Sequence, residues 1–156
     1  MTITDFSMGW FSLAGKNAIV TGGNTGLGQS FALALATGGA NVLVPSLADD
    51  DGTTRSLIEA EGVRYEFMEA DITAEGVPAH VIATCVERLG SVDVLINSAG
   101  ICPLGEVLEF GRDKWDATVA VNLTAAFEMS FEAAKVMVPQ RSGKIINICS
   151  MFSFLG

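Results

Sequence analysis

The sequence predicts an α/β protein with a doubly wound parallel sheet, built as one domain over residues 1–156. Apolar runs of strand length alternate with helical patterns along the chain, and repeated β-α-β alternation indicates parallel strands joined by right-handed crossovers. The composition agrees with this class, because 49% of the residues are hydrophobic and 17 are glycine. Such a balance favours strands that are covered on both faces.

Five short apolar segments are predicted as strands and four longer segments as helices. The first helix is supported by Leu27, Phe31 and Leu35, which share one helical face, and by Gly38 and Gly39, which end it. The predicted strands are 17–20, 40–44, 63–68, 92–97 and 144–149, and the predicted helices are 26–37, 51–61, 75–89 and 112–138.

Charge and cysteine content exclude several classes of partner. A formal net charge of −9 disfavours nucleic acid and anionic membrane surfaces. No apolar run approaches the roughly 18 residues of a membrane helix, and the N-terminus lacks the basic start of a secretory signal, so we expect a cytoplasmic protein. Cys85, Cys102 and Cys149 show no C-x-x-C spacing and His80 is the only histidine, which indicates reduced thiols and no metal site.

The most informative motif joins the first strand to the first helix. The segment VTGGNTGLGQ contains T-G-x-x-x-G-x-G, in which the first glycine permits a sharp turn. The second lets a pyrophosphate approach the helix N-terminus, and the third lets the helix lie close to the sheet. A glycine-rich turn without a ligand is the alternative, and no G-K-[S/T] follows to make a P-loop. The predicted dinucleotide site includes Gly22, Asn24, Thr25, Gly26, Leu27 and Gly28.

Selectivity for the 2′ position of the adenosine ribose is expected at the end of the second strand. An acidic residue there accepts hydrogen bonds from a 2′-hydroxyl, whereas an arginine pairs with a 2′-phosphate. The residue expected to face this position is Ser46, which is neither. Because Asp49, Asp50 and Asp51 follow closely and would repel an extra phosphate, the sequence favours NAD over NADP.

Four further segments make the interpretation more specific. They are EADIT (69–73), INSAG (96–100), VAVNLTAAF (119–127) and GKIINICS (143–150). Together with the glycine motif, and in this order, they resemble the short-chain dehydrogenase/reductase family from residue 13 onward. The resemblance implies a Rossmann-like sheet with the strand order 3-2-1-4-5 and a cofactor that is NAD or NADP.

The resemblance also implies roles for residues of the second half of the cofactor site. Asp71 would contact the adenine, with Ile72 packing beside it. INSAG is similar to the family's N-N-A-G, with serine in the second place, so Asn97, Ala99 and Gly100 would line the central ribose region of the cofactor.

Asn122 and Ser150 match two members of the family's catalytic set, in which the serine hydrogen-bonds the reacting carbonyl or hydroxyl. The residues support both roles independently. Asn122 is the hydrogen-bonding member of an apolar helical stripe, where a buried amide without partners costs about 1–3 kcal/mol. Ser150 follows the fifth strand at the carboxyl end of the sheet, where ligands of open α/β sheets bind. The alternatives are that Asn122 ties down neighbouring backbone groups and that Ser150 begins a turn.

The family's Y-x-x-x-K segment, whose tyrosine exchanges the proton, has no match in the chain. The single tyrosine, Tyr65, falls in the third predicted strand. We therefore expect the N-terminal part of a reductase, inactive and poorly soluble alone, with an open edge at the fifth strand and an uncovered apolar stripe on the long helix. At full length, the resemblance implies that helix 112–138 joins a dimer or tetramer interface.

The predicted function is hydride transfer between NAD(P) and a secondary alcohol or ketone. Segments such as DKWDATVAVNL are most similar to gluconate and deoxygluconate dehydrogenases, which implies a sugar acid as substrate. A non-catalytic dinucleotide-binding sensor or scaffold is the alternative; the missing Y-x-x-x-K favours it, and the presence of Asn122 and Ser150 disfavours it. An epimerase or dehydratase is disfavoured because Thr25 stands where its pattern requires glycine.

Overall fold

The computed structural model describes residues 7–151 and shows a parallel sheet with helices on both faces. The strand order β3-β2-β1-β4-β5 confirms the predicted order 3-2-1-4-5. Each strand lies at its predicted place, with ends that differ from the prediction by at most about two residues, as is usual for element boundaries. The strands are β1 Asn17–Val20, β2 Asn41–Ser46, β3 Tyr65–Glu69, β4 Val94–Asn97 and β5 Lys144–Asn147.

The helices also follow the predicted order, with one internal change. The segment predicted as a single helix over 112–138 is helical from Arg112 to Gln140, but a π-helical turn, Ala120–Ala125, interrupts it. A π-helical turn inserts one extra residue and so rotates the helical face that follows it. The α-helices are α1 Gly26–Thr37, α2 Thr53–Glu59, α3 Val77–Leu89, α4 Arg112–Val119 and α5 Ala126–Gln140.

Two apolar cores lie on opposite faces of the sheet because side chains alternate along each strand. In β1, Ile19 packs into the core with α3 and α5, whereas Ala18 and Val20 pack into the core with α1 and α2. All three are 0% exposed. Burial on both faces explains why the central strands appear in the sequence as continuous apolar runs.

The fifth strand and part of α5 are much less covered than the rest of the sheet. All four residues of β5 are exposed, with Ile146 at 45%, and Phe127 on α5 is 66% exposed. These observations agree with the predicted open edge and apolar helical face. Among residues 7–151, no helix is both long and apolar enough to cross a membrane. The three cysteines are unpaired.

A polar network at the amino end of the sheet joins β1 to the beginning of β4. Asp93 accepts hydrogen bonds from Lys16 Nζ at 3.0 Å, from the Asn17 backbone N–H at 3.0 Å and from Ser91 Oγ at 2.7 Å. Burial alone would raise the pKa of Asp93, but the hydrogen bonds from Ser91, Lys16 and Asn17 outweigh it and lower the pKa below its usual range. Asp93 therefore has a structural role at this end of the sheet.

The lowered pKa of Asp93 predicts a pH-dependent contribution to stability. Because the carboxylate is favoured in the folded state, its stabilisation is present above the unfolded pKa, near about 4, and is lost as the pH falls through that value towards the folded pKa. We expect Asp93→Asn to lower the free energy of unfolding by about 1–2 kcal/mol at pH 7, with a smaller difference from the unsubstituted protein below about pH 4.

Urea denaturation at a series of pH values would measure this difference. Glu87→Gln, which neutralises an exposed carboxylate of α3, is the matched control and should change stability little at any pH. If the loss of stability caused by Asp93→Asn stayed constant down to pH 3, the lowered pKa of Asp93 would not contribute to stability as expected.

Candidate active site

A cleft of about 520 Å³ lies at the carboxyl ends of the strands. This is the edge where open α/β sheets bind ligands, next to the turn after the first strand, and the volume is in the range of small-molecule and cofactor sites. Its walls come from four loops and from Val121 of the π-helical turn. The lining residues belong to the glycine turn (Gly22 and 25–28) and to the segments 45–48, 70–73 and 98–101.

The glycine turn has the backbone geometry that its sequence pattern predicts. Gly22 and Gly26 have φ values of +63° and +52°, a region that residues with a side chain rarely adopt. At Gly26 an added Cβ would meet no atom within 4 Å, so this glycine leaves open space at the mouth of the cleft. At Gly28 a Cβ would overlap the carbonyl group of Gly22, which confirms that this position permits the close approach of α1.

The N-terminus of α1 faces the cleft, and no side chain within the described residues caps its backbone N–H groups. Thr25 occupies the N-cap position, and its side chain makes no capping hydrogen bond; the first turn contains no acidic residue. The first N–H groups of a helix lack intrahelical partners and carry the positive end of the helix dipole. This terminus, with Thr25, Gly26, Leu27 and Gly28 lining the cleft, is therefore suited to an anionic group such as a pyrophosphate.

Thr21 is a structural residue of the site that the sequence analysis did not single out. Its hydroxyl oxygen accepts hydrogen bonds from the backbone N–H groups of Ser98 and Ala99, both at 3.0 Å, and the residue is 1% exposed. It thereby joins the end of β1 to the loop after β4, which forms the opposite wall of the cleft. The available signal was its position as the first residue of the T-G-x-x-x-G-x-G motif.

Ser46 lines the cleft at the end of β2, as predicted. Its Oγ accepts a hydrogen bond from the backbone N–H of Ala48 at 3.1 Å, which leaves the hydroxyl proton available to another acceptor. Two of the carboxylates that follow are bonded next to the start of α2, since Asp50 and Asp51 accept hydrogen bonds from the backbone N–H groups of Gly52 and Thr53.

Asp71 and Ile72 also line the cleft, on the wall that follows β3. The Asp71 carboxylate accepts hydrogen bonds from the hydroxyl of Thr73 at 2.6 Å and from its backbone N–H at 2.9 Å. These bonds lower the pKa of Asp71, so the residue is a hydrogen-bond acceptor at neutral pH. Ile72 is 8% exposed and supplies apolar surface beside it.

The predicted ribose-lining residues divide into two groups. Ala99 and Gly100 line the cleft, whereas the side chain of Asn97 points away from it, towards α5 and β5. Its Nδ2 donates to Asn147 Oδ1 at 2.8 Å and to Ser130 Oγ at 3.0 Å. Asn97 therefore holds β4 to its neighbours, because a buried amide takes the hydrogen bonds that the interior offers.

Asn24 is likewise absent from the cleft lining, although it belongs to the glycine turn. Its Nδ2 donates to the carbonyl oxygens of Ala48 and Asp49, and the residue is 6% exposed. The structure therefore assigns it a place behind the wall of the cleft.

Asn122 lies in the π-helical turn, and its side-chain amide both donates a hydrogen bond to a single loop residue, Ile101, and accepts one from it. Its Nδ2 donates to the carbonyl oxygen of Ile101 at 2.8 Å, and its Oδ1 accepts from the Ile101 N–H at 2.9 Å. The expectation of a buried amide is wrong, because Asn122 is exposed and the buried face is formed by Ala125, Met129, Ala133 and Met137. No residue of α4 is buried either, so the first half of the predicted stripe lies uncovered and only the part from Ala125 onward meets the core. These bonds are of the kind that the alternative role predicts, in which Asn122 ties down backbone groups, and its membership of the catalytic set stays a prediction.

Ser150 follows β5 at the same sheet edge as the cleft, but it is exposed and does not line the cleft. The pairing of β4 with β5 ends at Asn97 and Asn147, and Ser150 follows Asn147 by three residues. Tyr65 lies in β3 and is 4% exposed; burial raises its pKa. The sole tyrosine of the chain is thus not a residue of the cleft.

Comparison with known proteins agrees with this geometry. Residues 16–156 match the family model of the short chain dehydrogenases. The chain is 61% identical over 155 residues to the uncharacterized oxidoreductase YgcW of Escherichia coli K12. It is 40% identical to the 2-dehydro-3-deoxy-D-gluconate 5-dehydrogenase of the same organism and 36% identical to the gluconate 5-dehydrogenase of Gluconobacter oxydans. These matches cover 99%, 94% and 93% of this chain, respectively.

A solved structure agrees with the sequence matches. A protein of Sinorhizobium meliloti assigned to the short-chain alcohol dehydrogenases superposes with a TM-score of 0.90 and 36% identity, over 94% of this chain and 58% of that one. The chain likewise spans 57–59% of the length of the three relatives named above. The chain belongs to the short-chain dehydrogenase family of oxidoreductases.

Proposed function

We propose that the cleft binds a nicotinamide dinucleotide and that the whole protein transfers a hydride between this cofactor and a secondary alcohol or ketone. The glycine turn carries the proposal, because it presents uncapped helix N–H groups and open space at Gly26, the combination that a pyrophosphate requires. The residues proposed to hold the cofactor are those of the predicted set that line the cleft: Gly22, Thr25, Gly26, Leu27, Gly28, Ser46, Asp71, Ile72, Ala99 and Gly100.

The dinucleotide, when bound, would supply a hydride to a ketone, or accept one from an alcohol, at its nicotinamide ring. The chain's own residues position the reactants. The N–H groups at the start of α1 bind the pyrophosphate, and Asp71 accepts hydrogen bonds at the adenine end. Asn122 holds the backbone of Ile101, which lines the cleft. Ser150 is proposed to hydrogen-bond the reacting oxygen, in keeping with the family resemblance.

NAD is the proposed cofactor in preference to NADP. Ser46 lines the end of the cleft where the adenosine ribose would lie, and its hydroxyl can hydrogen-bond a free 2′-hydroxyl. The consecutive carboxylates of Asp49, Asp50 and Asp51 oppose a second anionic group nearby.

A sugar acid is the proposed substrate, and a homo-oligomer is the proposed state of the whole protein. Support for the substrate comes from the two named dehydrogenases, which act on gluconate or a deoxygluconate. Support for assembly comes from α5, where the exposed rings of Phe127 and Phe131 stack with centroids 6.1 Å apart. An exposed apolar patch of this kind is typical of an interface.

Substitution of Gly26 by alanine is expected to abolish cofactor binding while the fold persists. The new Cβ would meet no protein atom, but it would occupy the space proposed for the pyrophosphate. Titration of the protein with NADH, followed by nicotinamide fluorescence, should show an affinity about 100-fold or more below that of the unsubstituted protein. NADH should bind the unsubstituted protein more tightly than NADPH.

Gly62→Ala is the matched control for this experiment. Gly62 has a φ of +78° and open space around its Cα, so alanine there carries a similar backbone cost, about 1 kcal/mol, at a position outside the cleft. We expect both variants to lose similar stability and only Gly26→Ala to lose NADH binding. Equal NADH affinity in the two variants would overturn the proposed site.

A further inference from the structure

Asn24 joins the glycine turn to the connection after β2. Its Nδ2 donates to the carbonyl oxygen of Ala48 at 2.8 Å and to that of Asp49 at 3.0 Å. The residue is 6% exposed, and hydrogen bonds shielded from water in this way are the most costly to remove. The Asn24 side chain therefore fixes where the main chain of residues 48 and 49 lies.

The backbone of the same residue is bonded to the first turn of α2. Its carbonyl oxygen accepts a hydrogen bond from Thr54 Oγ1 at 3.0 Å, and Thr54 Oγ1 in turn accepts from Gln29 Nε2 at 2.7 Å. Thr54 is 1% exposed. Asn24 thus bonds to the first half of the segment that connects β2 to α2 and to the first turn of α2.

The connecting segment forms one wall of the cleft. Ser46, Leu47 and Ala48 line the cleft together with the glycine turn, and residues 49–51, all aspartates, follow directly. In open α/β sheets the end of the second strand faces the adenosine ribose. The position of this wall therefore decides how close the three carboxylates come to the 2′ position of a bound dinucleotide.

We propose that Asn24 is a positioning residue for the adenosine half of the cofactor. By holding the carbonyl groups of Ala48 and Asp49, it fixes the wall formed by residues 46–48 and the aspartates that follow, and so sets the preference for a 2′-hydroxyl over a 2′-phosphate. The inference rests on the proposed function. Asn24 acts through the main chain of the wall, so the effect of losing its amide is confined to the adenosine end.

The test compares Asn24→Ala with Asn24→Leu, which keeps about the size of the side chain and removes both donors without adding a charge. Thr54→Val is the matched control, because it deletes a buried hydrogen bond to the same residue and leaves the bonds to Ala48 and Asp49 in place. Dissociation constants are measured for NADH, NADPH, ADP-ribose and reduced nicotinamide mononucleotide. Hydrogen exchange of the cofactor-free protein reports on the wall itself.

We expect both Asn24 variants to bind NADH and ADP-ribose about tenfold more weakly. The affinities for NADPH and for the mononucleotide should change little, so the protein's preference for NADH over NADPH becomes smaller. Amides of residues 47–53 should exchange faster in both variants, and Thr54→Val should keep the original cofactor preference.

Three results would overturn the inference. They are an unchanged ratio of the NADH and NADPH dissociation constants, an equal loss of affinity for the mononucleotide and for ADP-ribose, and an unchanged rate of amide hydrogen exchange at residues 47–53. Absence of dinucleotide binding by the unsubstituted protein is a different failure. It would remove the proposed function and, with it, the cofactor preference, whereas the exchange measurement would still show whether Asn24 holds the wall.

Discussion

Substitution of Thr21 by valine is expected to lower the free energy of unfolding by about 1–3 kcal/mol and to weaken NADH binding. Valine has the shape of threonine but offers no acceptor to the backbone N–H groups of Ser98 and Ala99, each of which donates to the Thr21 hydroxyl at 3.0 Å. Because Thr21 is 1% exposed, water cannot easily replace its hydroxyl. The loop that carries Ala99 and Gly100 should therefore lose its attachment to β1.

Thr21→Ser is the control that isolates the hydroxyl group. Serine keeps the acceptor and removes one methyl group, which costs about 0.5–1.5 kcal/mol in a packed site. We expect the serine variant to retain NADH affinity and the valine variant to lose it in part. Urea denaturation and NADH titration of the two proteins make the comparison. Equal NADH affinities would show that the hydroxyl does not position the loop.

Substitution of Gly28 by alanine should impair both the fold and the site. An added Cβ would overlap the Gly22 carbonyl oxygen and would lie 2.9 Å from the Gly22 carbonyl carbon and 3.1 Å from Gly23 Cα. These contacts are backbone atoms, so relief requires a shift of α1 away from the turn. Overpacking of this kind costs about 1–3 kcal/mol, and the displaced N-terminus should lower NADH affinity by about 100-fold.

Ser30→Ala is the control that tests whether the losses of stability and NADH affinity depend on position 28 or follow from any substitution by alanine in α1. Ser30 lies two residues further along α1 and is exposed, so alanine there should leave stability and NADH affinity nearly unchanged. Thermal unfolding gives the stability of both variants, and NADH titration is made at a temperature where both are folded. A Gly28→Ala protein with unaltered NADH affinity would contradict the need for close packing at this position.

The sequence predicted the sheet well because its signal is strong and local. Strands that are buried on both faces, such as β1, are apolar at nearly every position, although Asn17 at the start of β1 is polar and buried. The order of the strands followed from the family resemblance. The glycine turn was predictable for a similar reason, since Gly22, Gly26 and Gly28 are each required by the backbone. Strand ends were less certain because a boundary depends on pairing with the neighbouring strand.

The asparagines show where prediction from sequence reached its limit. Asn24 and Asn97 lie within the predicted motifs, yet their side chains turn away from the cleft to bond with Ala48, Asp49, Ser130 and Asn147. Asn122 was expected to be buried, but it is exposed, as its part of the helical stripe is not covered, and it is bonded to Ile101. In each case the partner is distant in sequence, so no local pattern reveals it.

The chain by itself determined the alternation of strands and helices, the turn that suits a pyrophosphate and the family to which the protein belongs. These features depend on the burial of apolar runs and on backbone angles that glycine alone adopts easily. Only the tertiary structure decided which side chains reach the cleft and which hold its walls from behind. That distinction depends on hydrogen bonds between segments 21 to 78 residues apart, which form only when the sheet brings those segments together.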